Sequence, residues 1–135
     1  MATTTKKIQT LEVDLETRPG SLSKVYGAFK EEKINVLATW AYEMGPGQGK
    51  AIIYASDFTK AKNVLNQLGL KPKAGSACYA EGDDAVGAYA DLLQKIAKAG
   101  VNLHATDAFG VGGKFATVFF ADDKDMPDLC KALGC

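Results

Sequence analysis

Arg18 is the only arginine among the sixteen Lys and Arg residues of this 135-residue chain, and it opens the run Arg18-Pro19-Gly20-Ser21-Leu22. A guanidinium is a planar, permanently charged fork suited to a carboxylate, and the glycine lets a ligand approach the backbone closely. From Leu22 the apolar residues Val25, Tyr26 and Phe29 recur at helical spacing, so a helix N-terminus with unpaired N–H groups is predicted directly behind the arginine. An α-carboxylate is the natural guest of such a loop. Asn35 and Asn102 each carry an amide that donates and accepts, and so can meet both ends of a zwitterion. His104, the one histidine, lies two residues beyond Asn102 and is expected on the same strand face. Each residue also has an ordinary reading: Arg18 as a solvated turn residue, the asparagines as backbone partners at turns, His104 as an exposed strand residue.

Catalysis is not expected. No serine or cysteine stands at a motif spacing from His104, so no nucleophile–base pair assembles. The glycine-rich stretches 45–49 and 110–113 read as hairpin turns and lack the Gly-Lys-Ser/Thr ending of a phosphate-binding loop. The three cysteines, Cys78, Cys130 and Cys135, cannot all pair within the chain and match no zinc spacing. With a single histidine they argue against a metal centre, and no cofactor is implied. Cys130 reads as core and Cys135 as exposed.

The formal net charge is zero and the lysines are scattered, which speaks against a nucleic-acid partner. No apolar run approaches the ~18 residues of a membrane span. Lys6-Lys7 is followed by Gln9, Glu12 and Asp14 rather than by an apolar stretch, so a signal peptide is not expected and the reading is a reduced, cytoplasmic protein.

The elements that carry these residues occur twice. Asn35-Val36-Leu37-Ala38-Thr39-Trp40-Ala41-Tyr42 is echoed 67 positions later by Asn102-Leu103-His104-Ala105-Thr106-Asp107-Ala108-Phe109, and Gly20 falls on Gly87. Gly49-Lys50 falls near Gly113-Lys114, and Leu68-Gly69 near Leu133-Gly134. Alternation predicts a strand over 8–15, and apolar periodicity a helix from Ser21. Strands at 34–42 and 50–56 flank a Gly/Pro-rich loop, and Asp57 caps a helix over 58–68. The second half gives a strand at 74–81, a helix over 84–99, strands at 101–109 and 114–121, and a helix over 124–133. Trp40 and Tyr42 are expected in the core or an interface.

This order is the ferredoxin-like βαββαβ unit of the α+β class, an antiparallel sheet with helices on one face, present twice, as units 1–73 and 74–135. The count is one strand short, because the second unit has no last strand of its own. Either 74–81 serves both units or another chain completes an edge, and a homodimer is expected.

At Arg18-Pro19-Gly20-Ser21-Leu22, followed by Ile34-Asn35-Val36, the chain resembles the ACT domain family of small amino-acid-binding regulatory modules. The second half is similar through Gly87 and Val101-Asn102-Leu103, with Val86 where the family has proline and Ala85 where it often has arginine. The resemblance covers nearly the whole chain and implies a stand-alone, non-catalytic tandem that binds a small amino acid or related metabolite between modules. It implies that Thr17, Arg18 and Gly20 work with Asn102, and that Asp84 and Gly87 work with Asn35; Pro19, Ser21, Leu22 and His104 are further candidate ligand contacts beside them. Thr17 and Leu15 replace the asparagine and histidine of the serine-sensing dehydrogenases of that family. The alternative is an interaction module, a regulatory subunit of a metabolic enzyme that takes no small ligand.

Overall fold

The structure, a computed structural model, describes residues 3–135. Ten helices and strands follow in chain order: β1 (Thr3–Glu16), α1 (Ser21–Glu31), β2 (Val36–Gly45), β3 (Gln48–Ala55), α2 (Phe58–Gln67), β4 (Lys73–Asp83), α3 (Ala88–Lys98), β5 (Leu103–Val111), β6 (Lys114–Ala121) and α4 (Met126–Leu133). A short 3₁₀ turn at Asp123–Asp125 leads into α4. The chain divides into two compact units, residues 9–75 in one and residues 3–8 with 76–135 in the other. Each is a ferredoxin-like unit, an antiparallel sheet with two helices.

In the unit of residues 9–75 the strands run β2-β3-β1, with antiparallel pairing of Leu11 to Ile53, Glu16 to Gln48 and Thr39 to Ile53. Period-two alternation sends Leu11, Val13 and Leu15 toward the helices, while Glu12, Asp14 and Glu16 face the other way. The helices return Val25 and Phe29 from α1, and Ala61, Val64 and Leu65 from α2, to the same core. Phe29 is fully buried, a contribution of about 1.5–3 kcal/mol relative to exposure. The Asp57 side chain accepts from the Lys60 N–H and caps α2, as its sequence position predicts. Trp40 and Tyr42 alternate onto the helix-free face opposite Ile52 and Lys50. Tyr42 is exposed there and not part of the core.

The second unit repeats this plan. The strands run β5-β6-β4-β1, with Cys78 opposite Phe119 and Thr106 opposite Phe119 from the other side. Its core joins Cys78, Leu92, Ile96, Phe119 and Leu129, and the Tyr89 ring stacks on Phe119. Both units carry a register irregularity near the start of the strand that follows the asparagine, between Val36 and Ala38 in β2 and between Leu103 and Ala105 in β5.

The strand missing from the sequence count is supplied by residues 3–8. β1 begins at Thr3, well before the predicted start at residue 8, and its residues 3–8 belong to the second unit as the closing strand beside β4. The need for another chain to complete that unit thereby disappears. The stretch Thr3-Thr4-Thr5-Lys6-Lys7 has no apolar alternation, so periodicity could not show it; its threonines suit a strand by β-branching alone. A second difference is the start of α3, at Ala88 rather than near residue 84, because Gly87 adopts φ +86° and breaks the helix before it.

Candidate functional site

The predicted loop of the first unit is built on a left-handed glycine. Gly20 has φ +91°, a conformation that costs a side-chain-bearing residue about 1–2 kcal/mol, and it holds the N-cap position of α1 without any capping side chain. The Ser21 N–H donates to the Arg18 carbonyl and the Lys24 N–H to the Gly20 carbonyl. The N–H groups of Leu22 and Ser23 thus open the helix with no side-chain cap, at the positive end of its dipole. The Ser21 hydroxyl is tied back to the Glu16 carbonyl at 2.7 Å.

Thr17 fixes the loop to the β2–β3 hairpin. Its N–H donates to the Gly47 carbonyl at 3.2 Å, and its hydroxyl donates to the Glu43 carboxylate. Between the loop and the hairpin lies a cleft of about 260 Å³, lined by Thr17, Arg18, Leu22, Tyr42, Glu43 and Lys50 among others. A hollow of about 560 Å³ on the helix side of the loop adds Pro19, Gly20 and Lys24. Arg18 is solvent-exposed and ion-paired with Glu16 at 3.4 Å. Lys50 lies near Glu12 at 3.6 Å and Asp14 at 3.9 Å on the helix-free face. The cleft therefore balances both signs of charge, as a zwitterion requires.

Asn35 lies at the other end of its unit. Its N–H donates to the Ser56 hydroxyl and its carbonyl accepts from the Ser56 N–H, just before Val36 pairs with Ala55. Ten residues of β2 separate it from the hairpin, roughly 30 Å at the usual strand rise. Asn35 and the Arg18 loop of the same unit therefore do not meet.

The second unit presents the matching loop. The Asp84 N–H donates to the Gly113 carbonyl at 2.9 Å, the counterpart of the Thr17–Gly47 bond, and the Asp91 N–H donates to the Gly87 carbonyl. Asp83 is ion-paired with Lys114. The hydrogen bond and positive charge of Lys114 hold the Asp83 carboxyl below its ordinary range, and Asp83 in turn raises the lysine. A cleft of about 440 Å³ lies here between Asp83, Lys114, Phe109 and Thr4. Val86, where the first loop has Pro19, is fully exposed.

Asn102 precedes β5 and is exposed, again a strand's length from its own unit's loop. Asn102 lies outside the strand, and the register shift between Leu103 and Ala105 falls on His104 itself. The His104 Nε2 is 2.8 Å from Asp122 Oδ1, so the imidazole is engaged within the second unit.

The sequence matches the ACT domain pair family over residues 6–129. The chain belongs to that family. No curated protein matches it. Among solved structures, the ACT pair is similar to a protein of Bacteroides thetaiotaomicron, with a TM-score of 0.83 at 21% identity over 96% of this chain and 90% of that one. It is also similar to the ligand-free regulatory subunit of aspartate kinase from Thermus thermophilus, with a TM-score of 0.70 at 15% identity over 98% and 94% of the two chains. The corresponding subunit from Thermus flavus gives 0.66 at 15% identity over 99% and 95%. These likenesses establish the shared fold. The family match is to a pair of ACT units and not to a catalytic domain. Among the described residues, no helix of the ACT pair is long and apolar enough to cross a membrane.

Sequence reasoning missed one cluster. The sulfurs of Cys78, Cys130 and Cys135 all lie within 4.8 Å of one another in the second unit. Separations of 52 and 57 residues left no local signal for it.

Proposed function

We propose that this ACT pair is a non-catalytic regulatory protein that binds a small amino acid or a related metabolite, with the Arg18 loop as its main contact. One observation carries the reading: the uncapped N-terminus of α1 behind the left-handed Gly20, opening beside Arg18 on a cleft that holds both signs of charge. The N–H groups and the guanidinium suit a carboxylate, and Glu16 and Glu43 suit an ammonium. Asn35 of the same unit stands a strand's length away and does not contribute to this cleft. A cytoplasmic homodimer would supply further units, and two-fold pairing is the commonest closed assembly.

Equilibrium dialysis of the chain against pooled amino acids, followed by calorimetry on those retained, tests this reading. Selective retention of one or a few, lost on Gly20→Val, is the expected result. No retention at about 1 mM, where even weak binding is visible, overturns it.

A second reading, docking to a metabolic enzyme subunit without a small ligand, draws on the exposed Tyr42, Met44, Phe109 and Val111 near the two hairpins. Failure of the dialysis together with co-purification of an enzyme, lost on Tyr42→Ser and Phe109→Ser, favours it.

A further inference from the structure

All three cysteines of the chain converge at one place in the second unit, from three different backbone segments. Cys78 lies on β4 opposite Phe119, with its side chain on the helix-facing side of the sheet. Cys130 projects from α4 toward it, with the two sulfurs 3.2 Å apart. Cys135 follows the left-handed Gly134 that ends α4. Its N–H donates to the Cys130 carbonyl at 2.9 Å, and this turn brings its sulfur to 3.7 Å from that of Cys78. The three residues grade from buried through half-buried to exposed, so the group has a route to solvent through Cys135.

We infer that Cys78, Cys130 and Cys135 form a three-thiolate site for a single soft d¹⁰ metal cation. Metal–sulfur bonds of about 2.3 Å set sulfur–sulfur spacings of about 3.8–4.0 Å in tetrahedral or trigonal geometry. The two Cys78 spacings, 3.2 and 3.7 Å, fall just short of that range and all three sulfurs lie within 4.8 Å, so small rotamer adjustments complete the site. Thiolate ligands select Cu⁺ and Zn²⁺ over hard cations. No fourth histidine, cysteine or carboxylate joins the group among the described residues. That set fits three-coordinate Cu⁺ directly, whereas Zn²⁺ would need an outside fourth ligand such as water. Binding forms three metal–sulfur bonds and releases the three thiol protons to solvent, with no change of oxidation state.

A disulfide explains the arrangement less well, since it uses two sulfurs and leaves the third unassigned. Coordination displaces the thiol protons, so uptake weakens as pH falls.

The test uses the full chain, reduced and under nitrogen, titrated separately with Cu⁺ against a chromogenic copper chelator and with Zn²⁺ against a zinc indicator. Saturation at one equivalent per chain is expected, with Cu⁺ outcompeting Zn²⁺ and with protection of all three thiols from alkylation. Cys135→Ala removes an exposed ligand and leaves the core intact, and Cys130→Ala, checked for cooperative melting, removes a second. Each should weaken binding by about tenfold or more. X-ray absorption showing three sulfur neighbours would support the assignment. Binding of neither cation, binding unchanged in Cys135→Ala, or alkylation of the three thiols unaffected by metal would each overturn the site. Zn²⁺ outcompeting Cu⁺ would overturn the three-coordinate assignment.

Discussion

The Thr5 hydroxyl donates to the carbonyl oxygen of Leu133 at 2.8 Å, joining residues 128 positions apart at the two ends of the described chain. This bond ties the first residues of β1 to the end of α4 inside one unit. Nearby, Lys6 lies over the Tyr79 ring at 5.6 Å, and Ile8 is buried at 3% exposure. The second unit is therefore closed by a strand that precedes the first unit in sequence. Thr5→Ala should cost about 1 kcal/mol for the lost bond, and Ile8→Ala about 2–4 kcal/mol as a core truncation. Denaturant melts should register both, and hydrogen exchange in Ile8→Ala should quicken in β4. Unchanged melts for both variants would mean that residues 3–8 do not close the unit.

A tyrosine–threonine bond recurs in both units, and it can be separated from ring packing. Tyr89 on α3 meets the Thr106 hydroxyl at 2.8 Å, and Tyr26 on α1 meets Thr39 in the matching strand. Burial raises the Tyr26 hydroxyl above its ordinary range despite the Thr39 bond. Tyr89→Phe keeps the ring stacked on Phe119 and deletes only the hydroxyl, so a loss of about 1 kcal/mol is expected. A double-mutant cycle with Thr106→Val measures the pair directly, and a coupling near zero would remove it from the stabilising contacts.

The four helices and, apart from the opening of β1, the six strands were legible from periodicity and turn signals. Val25 and Phe29 in α1, and Leu92 and Ile96 in α3, recur at helical spacing, while Leu11 and Val13 alternate in β1. The opening of β1 was not legible, since Thr3–Lys7 holds its place by backbone pairing and carries no apolar stripe. The start of α3 was misplaced because Ala85, Val86 and Gly87 have unexceptional identities, and only the backbone angle of Gly87 shows the break. Arg18 was found, but its ion pair with Glu16 was not, since neighbouring charges in a turn can point anywhere. The cysteine cluster depends on the packing of α4 on β4, which no spacing rule contains.

The Asp83–Lys114 pair makes a prediction about pH. Lys114 lowers the folded-state value of Asp83 through its hydrogen bond and charge. A carboxylate lowered on folding stabilises the protein above its unfolded value. That contribution fades as pH drops below about 4 and through the folded value. The pair is solvent-accessible, so the effect on melting is small and is best read at the carboxyl itself. Carboxyl NMR should show Asp83 titrating below the ordinary aspartate range, and Lys114→Met should return it toward that range. An Asp83 that titrates identically in both proteins would show that the pair does not persist in solution.

Gly20 provides the most direct test of the loop as a binding element. A Cβ placed there meets nothing within 4 Å, so space is not the constraint; the φ of +91° is. Valine at that angle is strained by about 1–3 kcal/mol and would draw the backbone back to negative φ. That rotation turns the start of α1 and Arg18 away from the cleft they line, while the core under Val25 and Phe29 is untouched. Gly20→Val should therefore still melt cooperatively, at somewhat lower stability, and lose amino-acid binding by calorimetry. Gly87→Val imposes the same strain at φ +86° on a loop that carries Asp83 and Asp84 in place of an arginine, with Asp83 held by Lys114 and Asp84 left to oppose a carboxylate. It should thus cost similar stability and less binding. Equal losses of binding in the two variants would make the loops equivalent sites, and unchanged binding in Gly20→Val would remove the Arg18 loop from the site altogether.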